Sequence, residues 1–89
     1  MNPLVKLHRS GWARLINCSS NSMNRRCTAY VETQGPRWLG RRLMTYVVRN
    51  HSLTYADWDT IHVDRCERVG RRRYRWLVRF ERTPRVYPE

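Results

Sequence analysis

The sequence predicts a small α+β domain, with an antiparallel sheet of three or four strands and one or two short helices. Three observations carry that prediction. The chain has 89 residues, the length of one domain, and 40% of them are apolar, enough for one small core. Residues 73–82 alternate with period two: Tyr74, Trp76, Val78 and Phe80 fall on one face, and Arg73, Arg75, Leu77, Arg79 and Glu81 on the other. Asn2-Pro3 is a helix start, with Asn at the N-cap and Pro at the first helical position. A small barrel of five or six strands is the rival architecture. Residues 1–89 read as one basic domain, with 83–89 a short tail that docks or frays.

In chain order, a helix from Asn2 would align Leu4, His8, Trp12, Leu15 and Ile16. The competing reading is a hairpin turning at Ser10-Gly11, and we take the helix. The small polar run 18–24 reads as a loop. Arg26 to Thr33 has strand composition, and Gln34-Gly35-Pro36 is a turn. The segment 37–50 fits either period. As a helix it gathers Trp38, Leu39, Leu43, Tyr46 and Val47. The run Thr45-Tyr46-Val47-Val48 and the internal Gly40 favour a strand over 42–49. Thr54 with Asp57 forms a capping-box pattern, so a short helical turn is expected within 51–59. From Thr60 to Glu67, Ile61 and Val63 alternate with His62, Asp64 and Cys66, a strand that a turn at Gly70 joins to 73–82.

Charge is the dominant chemical feature. Seventeen of the 18 basic residues are arginine, Lys6 being the exception, and they face seven acids, for a net charge of +11. GC-rich coding would explain arginine over lysine but not the excess of bases over acids. Arginine grips phosphate and carboxylate with a rigid fork and stacks on rings. Four Trp and five Tyr against one Phe add rings with polar handles. Residues 1–31 hold five bases and no acid, which is also the composition of a mitochondrial transit peptide. Residues 32–67 are balanced, and 68–89 carry eight bases and two acids.

Several classes of function find no support. No run reaches the roughly 20 apolar residues of a membrane span. The cysteines, Cys18, Cys27 and Cys66, are odd in number and suit free thiols in a reducing compartment, the cytoplasm or nucleus. His62 and Cys66 have the only metal-like spacing, so no metal and no cofactor is expected. His8, His51 and His62 are the acid–base candidates at neutral pH. His51 or His62 with Arg73 and Tyr74 could imitate a ribonuclease cleft, but no motif fixes such geometry, and no catalytic residue is assigned. No RNA-recognition, zinc-finger or homeodomain pattern appears.

The expected function is a non-catalytic nucleic-acid-binding protein, favouring RNA or other single strands. Its phosphate contacts would be Arg68, Arg71, Arg72, Arg73, Arg75 and Arg79, extended by Arg41 and Arg42 should they share that face, with Trp38 as a stacking ring. Arg25 and Arg26 are further candidates for the patch. The same arginines could instead be a solvated strand protected by charge. The alternative is a small inhibitor or adaptor of the phage type, docking on an acidic surface of a host nucleic-acid-handling complex, since Arg, Trp and Tyr also dominate protein hot spots. The patch Tyr55-Ala56-Asp57-Trp58-Asp59 would then be a partner site or an internal counter-charge.

Overall fold

A computed structural model of the chain describes residues 2–21, 26–50, 54–56 and 58–84. The elements are α1 (Pro3–Arg9), β1 (Ala13–Asn21), β2 (Arg26–Gln34), α2 (Arg37–Arg49), β3 (Thr54–Ala56), a 3-10 turn (Trp58–Thr60), β4 (His62–Gly70) and β5 (Arg73–Pro84). The fold is α+β. Four long strands form an open antiparallel sheet in the order β1-β2-β5-β4. The short β3 continues the β4 edge, with Thr54 opposite Pro84 and Ala56 opposite Arg82. Among the described residues β1 and β4 do not pair, so the sheet does not close into a barrel.

Period two decides how β5 lies. Trp76, Val78 and Phe80 are buried against Cys27, Ala29 and Val31 of β2 and Met44 and Val48 of α2. Both helices therefore cover one face of the sheet and leave the other open. The Asn2 side chain caps α1, accepting from the Leu4 N–H at 2.9 Å. Leu4 and Leu7 pack against Leu43 and Val47 of α2.

The segment 42–49 is helical, contrary to its strand-like composition. Leu43, Met44, Val47 and Val48 are buried along one side of α2. Burial of each such side chain is worth about 1.5–3 kcal/mol. The helical penalty of a β-branched residue is at most about 0.7 kcal/mol, so packing outweighs propensity. Gly40 is explained by the same packing. A Cβ at Gly40 would stand 2.5 Å from Thr33 Oγ1 and 3.3 Å from Trp76 Cζ2. Its absence lets the helix seat directly on the sheet.

Other expectations are corrected. The first helix ends at Arg9, and Gly11 turns the chain with φ 84°, so Trp12, Leu15 and Ile16 do not continue it. The polar run expected as a loop from Cys18 is strand as far as Asn21. A register shift between Val63 and Arg65 breaks the alternation of β4. It places Cys66 opposite Trp76 on the core face, while His62 stands opposite Arg79 on the open face. Thr54 lies in β3 and not at a helix cap, although a 3-10 turn does follow at Trp58–Thr60; Asp57 and His51 lie outside the described residues. Of the expected tail, Thr83 and Pro84 belong to β5, and 85–89 lie outside the described residues.

Two substitutions test this packing. Gly40→Ala, favourable in a free helix, is expected to destabilise the fold by about 1–3 kcal/mol through overpacking, read as a lower midpoint in urea unfolding. Thr33→Val keeps the shape but strands the buried Trp76 N–H, which now donates to Thr33 Oγ1 at 2.8 Å. A loss of about 1–3 kcal/mol is expected in the same measurement.

Candidate nucleic-acid interface

Two basic surfaces emerge, and they differ in how their charge is balanced. The first is the open sheet face. Cross-strand register sets Arg14, Glu32, Arg75 and Glu67 in one row, and Asn17, Tyr30, Leu77 and Arg65 in the next. Tyr30, whose face the sequence left open, stands at the centre of this surface and is 39% exposed. Arg73, Arg75 and Arg79 project here as their alternation predicts. Each meets an acid. Glu32 lies 3.6 Å from Arg73 Nε and 3.7 Å from Arg75 Nη2. Arg79 Nε donates to the Asp64 carboxylate at 2.8 Å. Arg65 and Glu67 pair at 3.1 Å. Arg26, opposite Glu81, continues the pattern. The strand row is thus a ladder of alternating sign.

The second surface carries cations with no acid beside them among the described residues. Arg71 and Arg72 make the turn between β4 and β5, where Arg72 takes φ 55°. Arg68 Nε donates to the Gly70 carbonyl at 3.3 Å, holding a third guanidinium at this end. The Arg72 carbonyl accepts the Gly35 N–H at 2.7 Å. That bond ties the turn to the start of α2, two residues before Arg37. Gly35 serves the junction twice: its φ is 94°, and a Cβ there would lie 2.9 Å from the Trp12 ring. Trp12, Gln34, Arg71, Arg72 and Arg73 line a shallow cleft beside it.

From that junction α2 continues the acid-free surface. The helix carries Arg37, Arg41, Arg42 and Arg49 and no acid, and α1 adds Lys6, His8 and Arg9. Among the described residues Arg37, Arg41, Arg42, Arg71 and Arg72 make no ion pair. Trp38 is 65% exposed. Beside it, between the two helices, runs a groove of about 760 Å³. Leu4, Trp38 and Tyr46 supply its apolar and aromatic atoms, and Arg41, Arg42 and Arg49 its cations. His8 meets the Tyr46 ring edge-on, with centroids 5.8 Å apart.

The predicted site residues therefore divide. Arg41, Arg42 and Trp38 lie on the helical layer, on the opposite side of the molecule from Arg73, Arg75 and Arg79. Arg71 and Arg72 bridge the two at the end of the sheet. Sequence reasoning missed Arg37, Tyr46 and Arg49 on α2 and, on the open face, Glu32. Glu32 lies about 40 residues upstream of the arginines it meets, and only strand pairing brings it there. Arg25 and the side chains of the 55–58 patch lie outside the described residues.

The acid–base grouping of His62, Arg73 and Tyr74 is not assembled. His62 pairs with Arg79, six residues along β5 from Arg73, a distance of about 20 Å. Tyr74 lies with Trp76 toward the core. His62 and Cys66 fall on opposite faces, and among the described residues no group of three or more His, Cys, Asp or Glu converges. Burial raises the Cys18 and Cys27 thiols above their ordinary range, while the Arg82 charge opposes the shift. No described helix is long and apolar enough to cross a membrane. No protein-family model, curated protein or solved structure matches the chain.

The two contacts of Glu32 are long, and the arginines that make them are half exposed, so they neutralise charge more than they stabilise the fold. Glu32→Gln is expected to change the unfolding free energy by less than about 1 kcal/mol, measured by chemical denaturation at low and high salt.

Proposed function

We propose that this protein binds nucleic acid without catalysing a reaction on it, and that it takes single strands, RNA among them, in preference to duplex. The observation that carries this reading is the basic surface, free of acids among the described residues, that runs from the Arg71-Arg72 turn through Gly35 to Arg37, Arg41 and Arg42 of α2. A polyanion gains affinity from such a surface by releasing condensed counterions, whatever its sequence. Arginine presents phosphate with two parallel donors, which lysine cannot do. The uncapped first turn of α2, with no acid in it, adds the positive end of the helix dipole to the same region. An exposed ring at Trp38 beside the cations favours strands whose bases are free to unstack.

This reading ranks the arginines differently from a simple charge count. Arg73, Arg75 and Arg79 already hold Glu32 and Asp64 as partners, so a phosphate must compete for them. Arg41, Arg42, Arg71 and Arg72 present no such competition among the described residues.

The test is fluorescence anisotropy with labelled single-stranded RNA, single-stranded DNA and duplex DNA across a salt series. About five phosphate contacts to a single strand give a log–log slope near −3.5. Arg41→Glu with Arg42→Glu, and Arg71→Glu with Arg72→Glu, should each weaken binding at least about tenfold, the range expected for losing and reversing two contacts. Arg75→Glu with Arg79→Glu should cost less. A slope near zero would refute the proposal. Absence of binding to all three probes, with capture of an acidic protein instead, would favour the inhibitor or adaptor reading.

A further inference from the structure

The groove between α1 and α2 has a composition that backbone phosphate binding does not require. A surface that only tracks phosphates needs cations. This one places three arginines around an aromatic and apolar floor of about 760 Å³, within the size range of small-ligand sites. Trp38 keeps 65% of its surface exposed at its edge, although a helix surface beside two arginines has ample polar alternatives for that position. Arg41 and Arg42 follow Trp38 by three and four residues, so they lie on the same side of α2, one turn along. The ring and the two guanidinium groups therefore face one volume. The first helix, α1, supplies Leu4, and its His8 holds the Tyr46 ring in place by an edge-on contact.

We infer that this groove is a nucleoside-phosphate site, seating one base against Trp38 with its phosphate held by Arg41 and Arg42. The argument is charge complementarity joined to ring chemistry. The groove residues include no acid, so the occupant is anionic; the exposed indole offers a π-face, so the occupant is flat and aromatic. A nucleotide carries both features at the separation of a base and its own phosphate. A run of acidic residues satisfies the cations alone, and a peptide meets the ring as well only by setting an aromatic side chain beside its carboxylates. The inference rests on the reading above in taking phosphate as the anion. It adds where the base goes, and it makes the site selective for nucleotides over bare sugar phosphates. The ligand could be a free nucleotide or one unit of a single strand, which share this chemistry.

The test is equilibrium binding of the full chain to adenosine 5′-monophosphate, uridine 5′-monophosphate, ribose 5-phosphate, a seven-nucleotide single-stranded RNA and an abasic strand of equal length. The expected result is that base-bearing ligands outbind their base-free counterparts by roughly tenfold, as one stacked base contributes. Trp38→Ala should erase that advantage, and Trp38→Phe should retain most of it. Trp38 is exposed, so neither change threatens the core, and circular dichroism of both variants verifies the fold. Free nucleotides binding as well as the strand would identify a mononucleotide ligand; binding of the strand alone would identify a strand unit. Equal affinity for base-bearing and abasic ligands, or no effect of Trp38→Ala, would overturn the inference. In that event a preserved salt slope with the RNA strand would leave phosphate binding standing, whereas no binding to any of the five ligands would remove both. A separate titration with a polyglutamate peptide closes the set, and tighter binding of it than of every nucleotide would overturn the inference in favour of a protein partner.

Discussion

The architecture depends on one close contact, that of Gly40 on the Thr33–Trp76 pair. Trp76 is the largest fully buried side chain, and its indole N–H must find an acceptor inside the core. Thr33, fully buried on the neighbouring strand, provides it. The pair is polar and compact, and it can be roofed only by a helix that approaches without a Cβ. With α2 held there, Leu43, Met44, Val47 and Val48 reach the sheet, and α1 acquires a surface to lie on. A chain of this length buries only roughly 60–65% of its unfolded surface, so few contacts of this kind exist to share the load.

Seating both helices on one face also sorts the charge. Every described acid lies outside the two helices: Glu32 on β2, Asp59 in the 3-10 turn, Asp64 and Glu67 on β4, and Glu81 on β5. The open face is thereby a mixed ladder that neutralises itself in part. Among the described residues, the helical layer and the β4–β5 turn carry arginines with no such counterweight. Net charge alone places no cation on any surface. The division between a balanced face and an unbalanced one follows from which segments became strands.

Much of the fold was legible in local chemistry. The alternation of 73–82 identified the core face of β5 residue by residue, because period two and burial agree there. Asn2-Pro3 announced α1 because a cap and a fixed φ are local properties. The segment 42–49 was misread because its β-branched run carries a real but small preference, which several buried side chains outweigh. The slip at Val63–Arg65 was invisible because a bulge inserts a residue without a characteristic sequence mark. Of the candidate site, the turn arginines and Trp38 were nominated from composition, while their grouping with Arg37 through the Gly35–Arg72 bond was not legible.

The sequence by itself determined the α+β class, the helix start, the strand alternation and the surplus of arginine, since each depends on neighbours along the chain or on a sum over it. Tertiary structure alone decided which arginines meet an acid. Glu32 reaches Arg73 and Arg75 only because β2 and β5 pair in one register, and a slip of one residue would turn its side chain to the core face. Tertiary structure alone likewise decided that Trp38, Arg41 and Arg42 share a groove with Leu4, because two helices far apart in the chain must be packed side by side before a space between them exists.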